Sequence, residues 1–117
     1  MGISDSILQS TKKALNIHES IEDFDVDITM AINSAFFNLM QLGVGPARGF
    51  NIKGADETWA EFIGDRTDLE SAKSYVFITC RLLFDRPETS YGIQALERLR
   101  DEWGWRLELQ RREPSDG

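Results

Sequence analysis

The chain has 117 residues, a formal net charge of −7 at neutral pH and 41% hydrophobic residues, including seven Phe, three Trp and two Tyr. This length and composition predict one globular domain with a modest core, and they argue against a fibrous or disordered chain. The negative charge disfavours non-specific binding to DNA or to an anionic membrane, because either surface repels an acidic protein.

Cysteine usage and the N-terminal sequence indicate where such a protein works. Cys80 is the only cysteine, so no intramolecular disulfide can form, and its apolar neighbours predict a buried thiol. The N-terminus lacks a basic segment followed by an apolar run, and no apolar run approaches the roughly 20 residues that span a bilayer. We therefore expect a soluble, cytoplasmic product, compatible with a reducing compartment.

The first element in the chain is a short amphipathic helix, predicted over residues 4–15. Ser4 or Asp5 can cap it, because a short polar side chain accepts hydrogen bonds from the first backbone N–H groups. Lys12 and Lys13 lie near its C-terminal end, where the helix dipole favours cations. One side of this helix carries Ile7, Leu8, Thr11 and Leu15.

A polar connector over residues 16–23 follows, and Asn16 is suited to the left-handed conformation that ends many helices. The connector contains His18, the only histidine of the chain, next to Glu19. A catalytic group of His18, Cys80 and a carboxylate would have to assemble across the chain, and nothing in the sequence indicates that it does. Zinc would lack enough nitrogen or sulfur ligands.

A long helix over residues 24–42 is the element around which the rest of the chain is organised. Its apolar residues recur at the 3.6-residue period of a helix with one broad buried stripe. Asp23, Asp25 and Asp27 crowd its start, where carboxylates face the positive end of the helix dipole, and Gly43 ends it. The stripe comprises Phe24, Ile28, Ala31, Ile32, Ala35, Phe36, Leu39, Met40 and Leu42.

Three further apolar residues, Val26, Met30 and Phe37, lie off this stripe. Apolar side chains therefore cover more than half of the helix circumference. Two interpretations remain open: the core contacts this helix on several sides, or Met30 or Phe37 faces a neighbouring subunit.

The three aspartates also imitate the opening of a calcium-binding loop. In the EF-hand pattern, however, Ile28 occupies the position that requires Gly, and Ser34 occupies the position of the bidentate Glu. Favourable charge at a helix N-terminus accounts for the aspartates better. The sequence predicts no catalytic residue, cofactor or metal site, and we do not expect an enzyme.

A glycine-rich segment over residues 43–55 is predicted to form a long loop, with a brief extended piece over residues 50–53. Loops longer than about 12 residues are uncommon in compact domains and are often functional. The glycines do not match a dinucleotide-binding fingerprint, because Arg48 stands where the third Gly is required and the loop follows a helix.

Three more helices complete an all-α prediction of about five helices in a single domain over residues 1–109, followed by a polar tail over residues 110–117. Gly104 lies within the last helical pattern and predicts a kink, a close contact or an early end. The short third helix begins at Asp56 or Thr58, contains Trp59, Phe62 and Ile63, and ends at Gly64. The fourth spans residues 68–84 with a stripe of Leu69, Ala72, Tyr75, Val76, Thr79, Cys80 and Leu83. The fifth is capped by Thr89 or Ser90 and has a stripe of Tyr91, Ile93, Leu96, Leu99, Trp103 and Leu107.

An aromatic and basic patch lies near the C-terminus, formed by Trp103, Trp105, Arg106, Arg111 and Arg112. Trp and Arg dominate the energetics of many interfaces, so the patch can anchor a partner. Alternatively, Trp103 belongs to the core and Trp105 packs beneath an arginine side chain. Nucleic-acid binding is less expected, because interspersed acidic residues dilute the positive charge.

The order of these features resembles the small head–tail connector, or head-completion adaptor, proteins of tailed bacteriophages and prophages. The resemblance covers residues 5–108, and the loop and the Trp-rich C-terminus depart from typical members. The segments that carry it are Asp23–Ile28, Gln41–Pro46, Tyr75–Asp85, Leu83–Pro87 and Trp105–Leu107.

The resemblance implies an all-helical structural protein that assembles as a ring of about a dozen copies beneath the portal. Such a ring extends the DNA channel, lets DNA pass without specific binding, and docks the next head-completion or tail protein. It implies a virion location at the head–tail interface, assembly in the bacterial host cytoplasm and no membrane contact. The alternative is a small helical protein-binding or regulatory module that dimerises through its apolar helices.

We expect the assembly contacts in the glycine-rich loop and the C-terminal end of the chain. Both contain apolar groups that a chain usually hides, and segments that order on binding keep such groups available for a partner. The candidate interface residues are Val44, Arg48, Phe50, Ile52, Trp105, Arg111 and Arg112.

Overall fold

The computed structural model describes residues 6–46, 48–63, 69–84 and 87–112. Within these ranges the backbone forms helices and no β-strand, with one isolated bridge between Ser6 and Thr58. The predicted all-α fold is therefore confirmed. The helices are α1 (Ile7–Ala14), α2 (Asp25–Gln41), α3 (Trp59–Ile63), α4 (Leu69–Phe84) and α5 (Ser90–Arg112).

The fourth helix occupies the middle of the helical packing. α4 packs along both α2 and α5, and α1 packs against α2 and α4. α2 and α5 make no comparably extensive contact with each other within the described residues. The long helices therefore follow the spatial order α2, α4, α5, which leaves one side of α2 and one side of α5 without a neighbouring helix.

α1 begins at Ile7, and its N-cap lies one residue after Asp5, the later of the two predicted caps. The Oγ of Ser6 accepts the N–H of Gln9 at 3.2 Å, so Ser6 is the N-cap. Ser4 and Asp5, which we expected to cap this helix, lie outside the described residues. Asn16 follows α1 with a φ of 64°, so its predicted left-handed conformation is confirmed.

Lys12, which the sequence places near the C-terminal end of α1, is fully buried. Its Nζ donates hydrogen bonds to the carbonyl oxygens of Glu19 and Ile21 at 3.1 and 2.5 Å. The same Nζ lies 2.9 Å from Oδ1 of Asp25, at the first turn of α2. One ammonium group thus holds α1, the connector and the start of α2 together.

α2 is buried along one side only. Its core side chains are Ile28, Ala31, Ile32, Ala35, Phe36 and Leu39, as the periodicity predicted. Val26, Met30 and Phe37 are 73%, 65% and 56% exposed, so the interpretation of a core on several sides is wrong. Among the described helices, α1 and α4 pack on α2, and together they cover a single stripe of its surface. Phe24 precedes the helix as its N-cap and is also exposed.

Phe36 is the centre of an aromatic cluster that joins α2 to the loop and to α3. Its ring centroid lies 4.5 Å from that of Phe62, 5.4 Å from that of Phe50 and 6.3 Å from that of Trp59. Aromatic pairs at such distances contribute about 0.5–1.5 kcal/mol beyond the burial of their area. The loop and α3 are therefore part of one core with α2.

The predicted stripes of the last two helices are only partly correct. Leu83, Tyr91 and Leu99 are 61%, 80% and 41% exposed, whereas Lys73 and Leu82 are buried in their place. Spacing on a helix gives the relative angle of two side chains, but the neighbouring helices decide how wide the buried stripe is.

Gly104 allows a close contact between α5 and the rest of the domain. A Cβ at this position would lie 3.2 Å from the Tyr75 ring and 3.4 Å from Cδ1 of Leu42. Of the three predicted outcomes the close contact is the one observed, and the helix does not end there. α5 continues to Arg112, so the segment predicted as a tail over residues 110–117 begins as helix.

The core predicts a large difference between two adjacent phenylalanines. Phe36→Ala should lower the free energy of unfolding by about 3–5 kcal/mol, because it removes a fully buried ring. Phe37→Ala should change it by less than about 0.5 kcal/mol, because the side chain is mostly in solvent. Urea denaturation of both variants checks this. Similar losses at the two positions contradict the described orientation of α2.

The two adjacent lysines of α1 provide a second test. Lys12→Met should cost about 2–5 kcal/mol, because it leaves two carbonyl oxygens and the Asp25 carboxylate without their buried cation. Lys13→Met makes the same substitution at an exposed site, and it should change the free energy of unfolding by less than about 0.5 kcal/mol. Denaturation midpoints and slopes for both variants measure the difference. If Lys12→Met is as stable as wild type, the ammonium does not hold the connector.

Candidate interaction surfaces

The apolar side chains of the glycine-rich loop pack into the domain. Val44 and Ile52 are 1% and 2% exposed, and Phe50 is half-buried against Phe36 and Phe62. The expectation that these side chains stay available for a partner is therefore not met in the described chain. The loop lies against the aromatic cluster, so the rest of the domain already contacts these side chains.

The side chain of Asn33 holds the middle of the loop in place. The backbone N–H of Ile52 donates to Oδ1 of Asn33 at 2.8 Å, and Nδ2 of Asn33 donates to the Ile52 carbonyl at 3.0 Å. This amide satisfies both backbone groups of one residue, as a neighbouring strand would. Residues 50–53, predicted as an extended piece, therefore run along α2 without forming a strand within the described structure.

Both ends of the loop are fixed by further hydrogen bonds. The N–H of Val44 donates to the Leu39 carbonyl at 2.9 Å, and the Glu57 carboxylate accepts the N–H groups of Lys53 and Gly54 at 2.9 and 3.4 Å. Partial burial acts to raise the pKa of Glu57, but these backbone donors outweigh it and lower the pKa. The Glu57 carbonyl in turn accepts the N–H of Ile7 at 3.0 Å, which ties the loop to α1.

The remaining predicted interface residues lie on separate elements. Arg48 is an exposed residue of the loop, and Trp105 is 61% exposed on α5. Arg111 and Arg112 belong to the last turn of α5, and their side chains lie outside the described part of the structure. An interface role for these four residues stays a prediction.

Trp103 and Trp105 have different environments. Trp103 packs against the core, and the Arg106 guanidinium lies 5.2 Å from the centre of its ring. Arg106 also forms an ion pair with Glu102 at 2.6 Å. The predicted arginine cover is therefore present, but it lies on Trp103, and Trp105 remains exposed.

Two ridges of exposed side chains lie on the long helices, one apolar and one in which apolar and charged residues alternate. The α2 ridge consists of Val26, Met30 and Phe37, which succeed one another on the face opposite the core. The α5 ridge consists of Tyr91, Ala95, Arg98, Glu102, Trp105 and Leu109, all of them exposed.

The α5 ridge follows alternating steps of four and three residues. This spacing gives the narrow seam by which one helix packs lengthwise on another. Sequence reasoning assigned Tyr91 to the core because it combined residues from two sides of the helix into one stripe. The alternation from Tyr91 to Leu109 was the available signal for a second, outward face.

The described residues contain no site built for catalysis or metal binding. No group of three or more His, Cys, Asp and Glu side chains is placed there to hold a metal ion. His18 is exposed and hydrogen-bonds Ser20 at 2.8 Å, whereas Cys80 is buried. Burial raises the pKa of Cys80 to about 12, which disfavours the nucleophilic thiolate. None of the described helices is long and apolar enough to cross a membrane.

Two glycines of the loop offer a test of its packing. Gly45 has a φ of +86°, and a Cβ there would overlap the Phe62 ring, so Gly45→Ala should destabilise the protein by at least about 2 kcal/mol. Gly54 has open space around it, and Gly54→Ala should be neutral or stabilising by up to about 1 kcal/mol. Thermal and urea unfolding distinguish the two variants. A neutral Gly45→Ala would mean that the loop does not pack on α3.

Comparison with known proteins identifies the family. No curated protein and no solved structure matches the chain. The family model described as "Phage connector protein" matches residues 7–114, which include α1 to α5. This match agrees with the all-helical fold and with the resemblance noted in the sequence. The chain belongs to the phage connector protein family.

Proposed function

We propose that this phage connector is a structural adaptor that forms a ring of about a dozen copies beneath the portal. The ring extends the DNA channel and docks the next head-completion or tail protein. It assembles in the cytoplasm of the bacterial host and becomes part of the virion at the head–tail interface. The family match supports a connector role, and the surface of the domain supports assembly into a ring.

The observation that carries the ring is the pair of ridges on two different helices. A symmetric dimer uses the same patch on both copies, whereas a ring needs two different patches that meet head to tail. The α2 and α5 ridges are different patches, and α4 lies between their helices. This arrangement favours the ring over a regulatory module that dimerises through one apolar helix.

The charge of the chain is consistent with a DNA channel that does not retain DNA. Each copy carries a net charge of −7, so a ring accumulates negative charge around the passage. A negatively charged lining repels the phosphate backbone and leaves the DNA free to slide. Binding of DNA is therefore not part of the proposed function, and neither is catalysis, since the family is structural.

The mass of the assembly tests this proposal. Multi-angle light scattering and sedimentation velocity are measured over a range of concentrations, alone and with the portal protein encoded in the same phage genome. We expect a closed ring, alone or on the portal. A dimer that does not grow with concentration and does not bind the portal would overturn the proposal and favour the regulatory module.

Two neighbouring tryptophans separate assembly from folding. Trp105→Ala should leave the melting temperature nearly unchanged and weaken assembly, because the ring of Trp105 is exposed on the α5 ridge. Trp103→Ala should lower the free energy of unfolding by about 1–3 kcal/mol, because Trp103 packs on the core. Melting curves and light scattering on both variants measure this. Unaltered assembly of Trp105→Ala contradicts the predicted role of Trp105.

A further inference from the structure

The α2 ridge has an acidic border. α2 contains no Lys or Arg, and Asp27 lies in its first turn, where it is exposed and has no ion-pair partner among the described residues. Met30 separates two shallow grooves on this face. One groove is lined by Asn33, Ser34, Phe37 and Asn38, and the other by Asp27, Ala31, Ser34, Leu83 and Phe84.

The middle of the α5 ridge carries one cation, Arg98, and one anion, Glu102, whose charge is balanced by its ion pair with Arg106. α5 carries five of the thirteen Lys and Arg residues of the chain. Arg98 is exposed between Tyr91 and Trp105, and it has no ion-pair partner within the described structure. The nearby cation Arg106, in contrast, is already paired with Glu102. Arg98 is therefore available for a carboxylate outside its own chain.

The spacing of the two ridges matches when the helices run in opposite directions. Phe37 and Met30 are seven residues apart on α2, as are Tyr91 and Arg98 on α5, which corresponds to a rise of about 10.5 Å in each helix. With Phe37 opposite Tyr91, the Arg98 stem lies over Met30 and its guanidinium reaches Asp27, one turn away. Opposed directions also bring the dipoles of the two helices into a favourable arrangement.

We propose that the α2 ridge of one copy packs antiparallel against the α5 ridge of the next copy, with Asp27 paired to Arg98 across the contact. This inference rests on the proposed ring and names the surfaces that form it. In this register Tyr91 enters the groove lined by Phe37, and Trp105, about 21 Å further along α5, lies against the connector just before α2. A stable interface buries about 800 Å² on each partner, so the flanking groove residues complete the contact.

Disulfide trapping tests which faces meet. Ser34 and Ala95 are small, exposed and close to each other in the proposed contact. A mixture of Ser34→Cys and Ala95→Cys proteins should give a mixed disulfide dimer at least about tenfold faster than a mixture of Lys13→Cys and Ala95→Cys, whose sites lie on unrelated faces. Equal rates in the two mixtures, or preferential dimers of Ser34→Cys with itself, overturn the pairing.

Charge reversal tests the contact in the native assembly. Asp27→Arg and Arg98→Glu should each weaken association by about tenfold or more, because each places like charges together. The protein carrying both changes should recover most of the wild-type association in sedimentation velocity. A double variant no better than the single variants overturns the Asp27–Arg98 pair, provided that circular dichroism melts show all three to be folded.

The experiments distinguish a wrong ring from a wrong α2–α5 pairing. If wild-type protein stays monomeric alone and with the portal, the proposed ring is wrong and the pairing falls with it. If wild-type protein forms the ring but neither the disulfide nor the charge variants behave as expected, the ring stands and only the α2–α5 pairing is overturned.

Discussion

The buried ammonium of Lys12 is the constraint on which the arrangement of the N-terminal half depends. A charge in the protein interior is tolerated only when hydrogen bonds and an opposite charge replace the lost water. The carbonyls of Glu19 and Ile21 and the carboxylate of Asp25 provide that replacement. Because these groups come from the connector and from the start of α2, satisfying one cation fixes where α2 begins relative to α1, and hence which side of α2 meets the core.

The orientation of α2 then decides both the core and the outer surface. One side of the helix places Phe36 among the aromatic rings of the loop and α3, and the other side leaves Met30 and Phe37 in solvent. A small domain of this kind has too few elements to cover every apolar side chain, and extended exposed apolar surface marks a place where another molecule binds. With α4 in the middle, most of the exposed apolar side chains lie on the two outer helices, where we propose that they form contacts between copies.

The sequence predicted well what depends on neighbouring residues and poorly what depends on distant ones. The five helices, the end of α2 at Gly43, the left-handed Asn16 and the close contact at Gly104 follow from periodicity and backbone preference. The burial of Lys12 did not follow from such local signals, because its partners are seven to thirteen residues away and two of them are backbone carbonyls that only the fold brings to it. The loop was interpreted as a free segment because the pairing of Asn33 with Ile52 leaves no periodic signal.

Gly104 influences how closely α5 packs, because the absence of a side chain lets α5 approach the ring of Tyr75. In a closed assembly of identical copies, the angle between the two contacting surfaces of one copy determines how many copies complete the circle. A larger residue at this position requires the Tyr75 ring or α5 to shift by a few tenths of an ångström, and a shift of α5 would change that angle by the same amount in every copy of the proposed ring. In the proposed ring, the number of copies would then depend on packing inside one subunit, and a single small residue in a helix would help to set the symmetry.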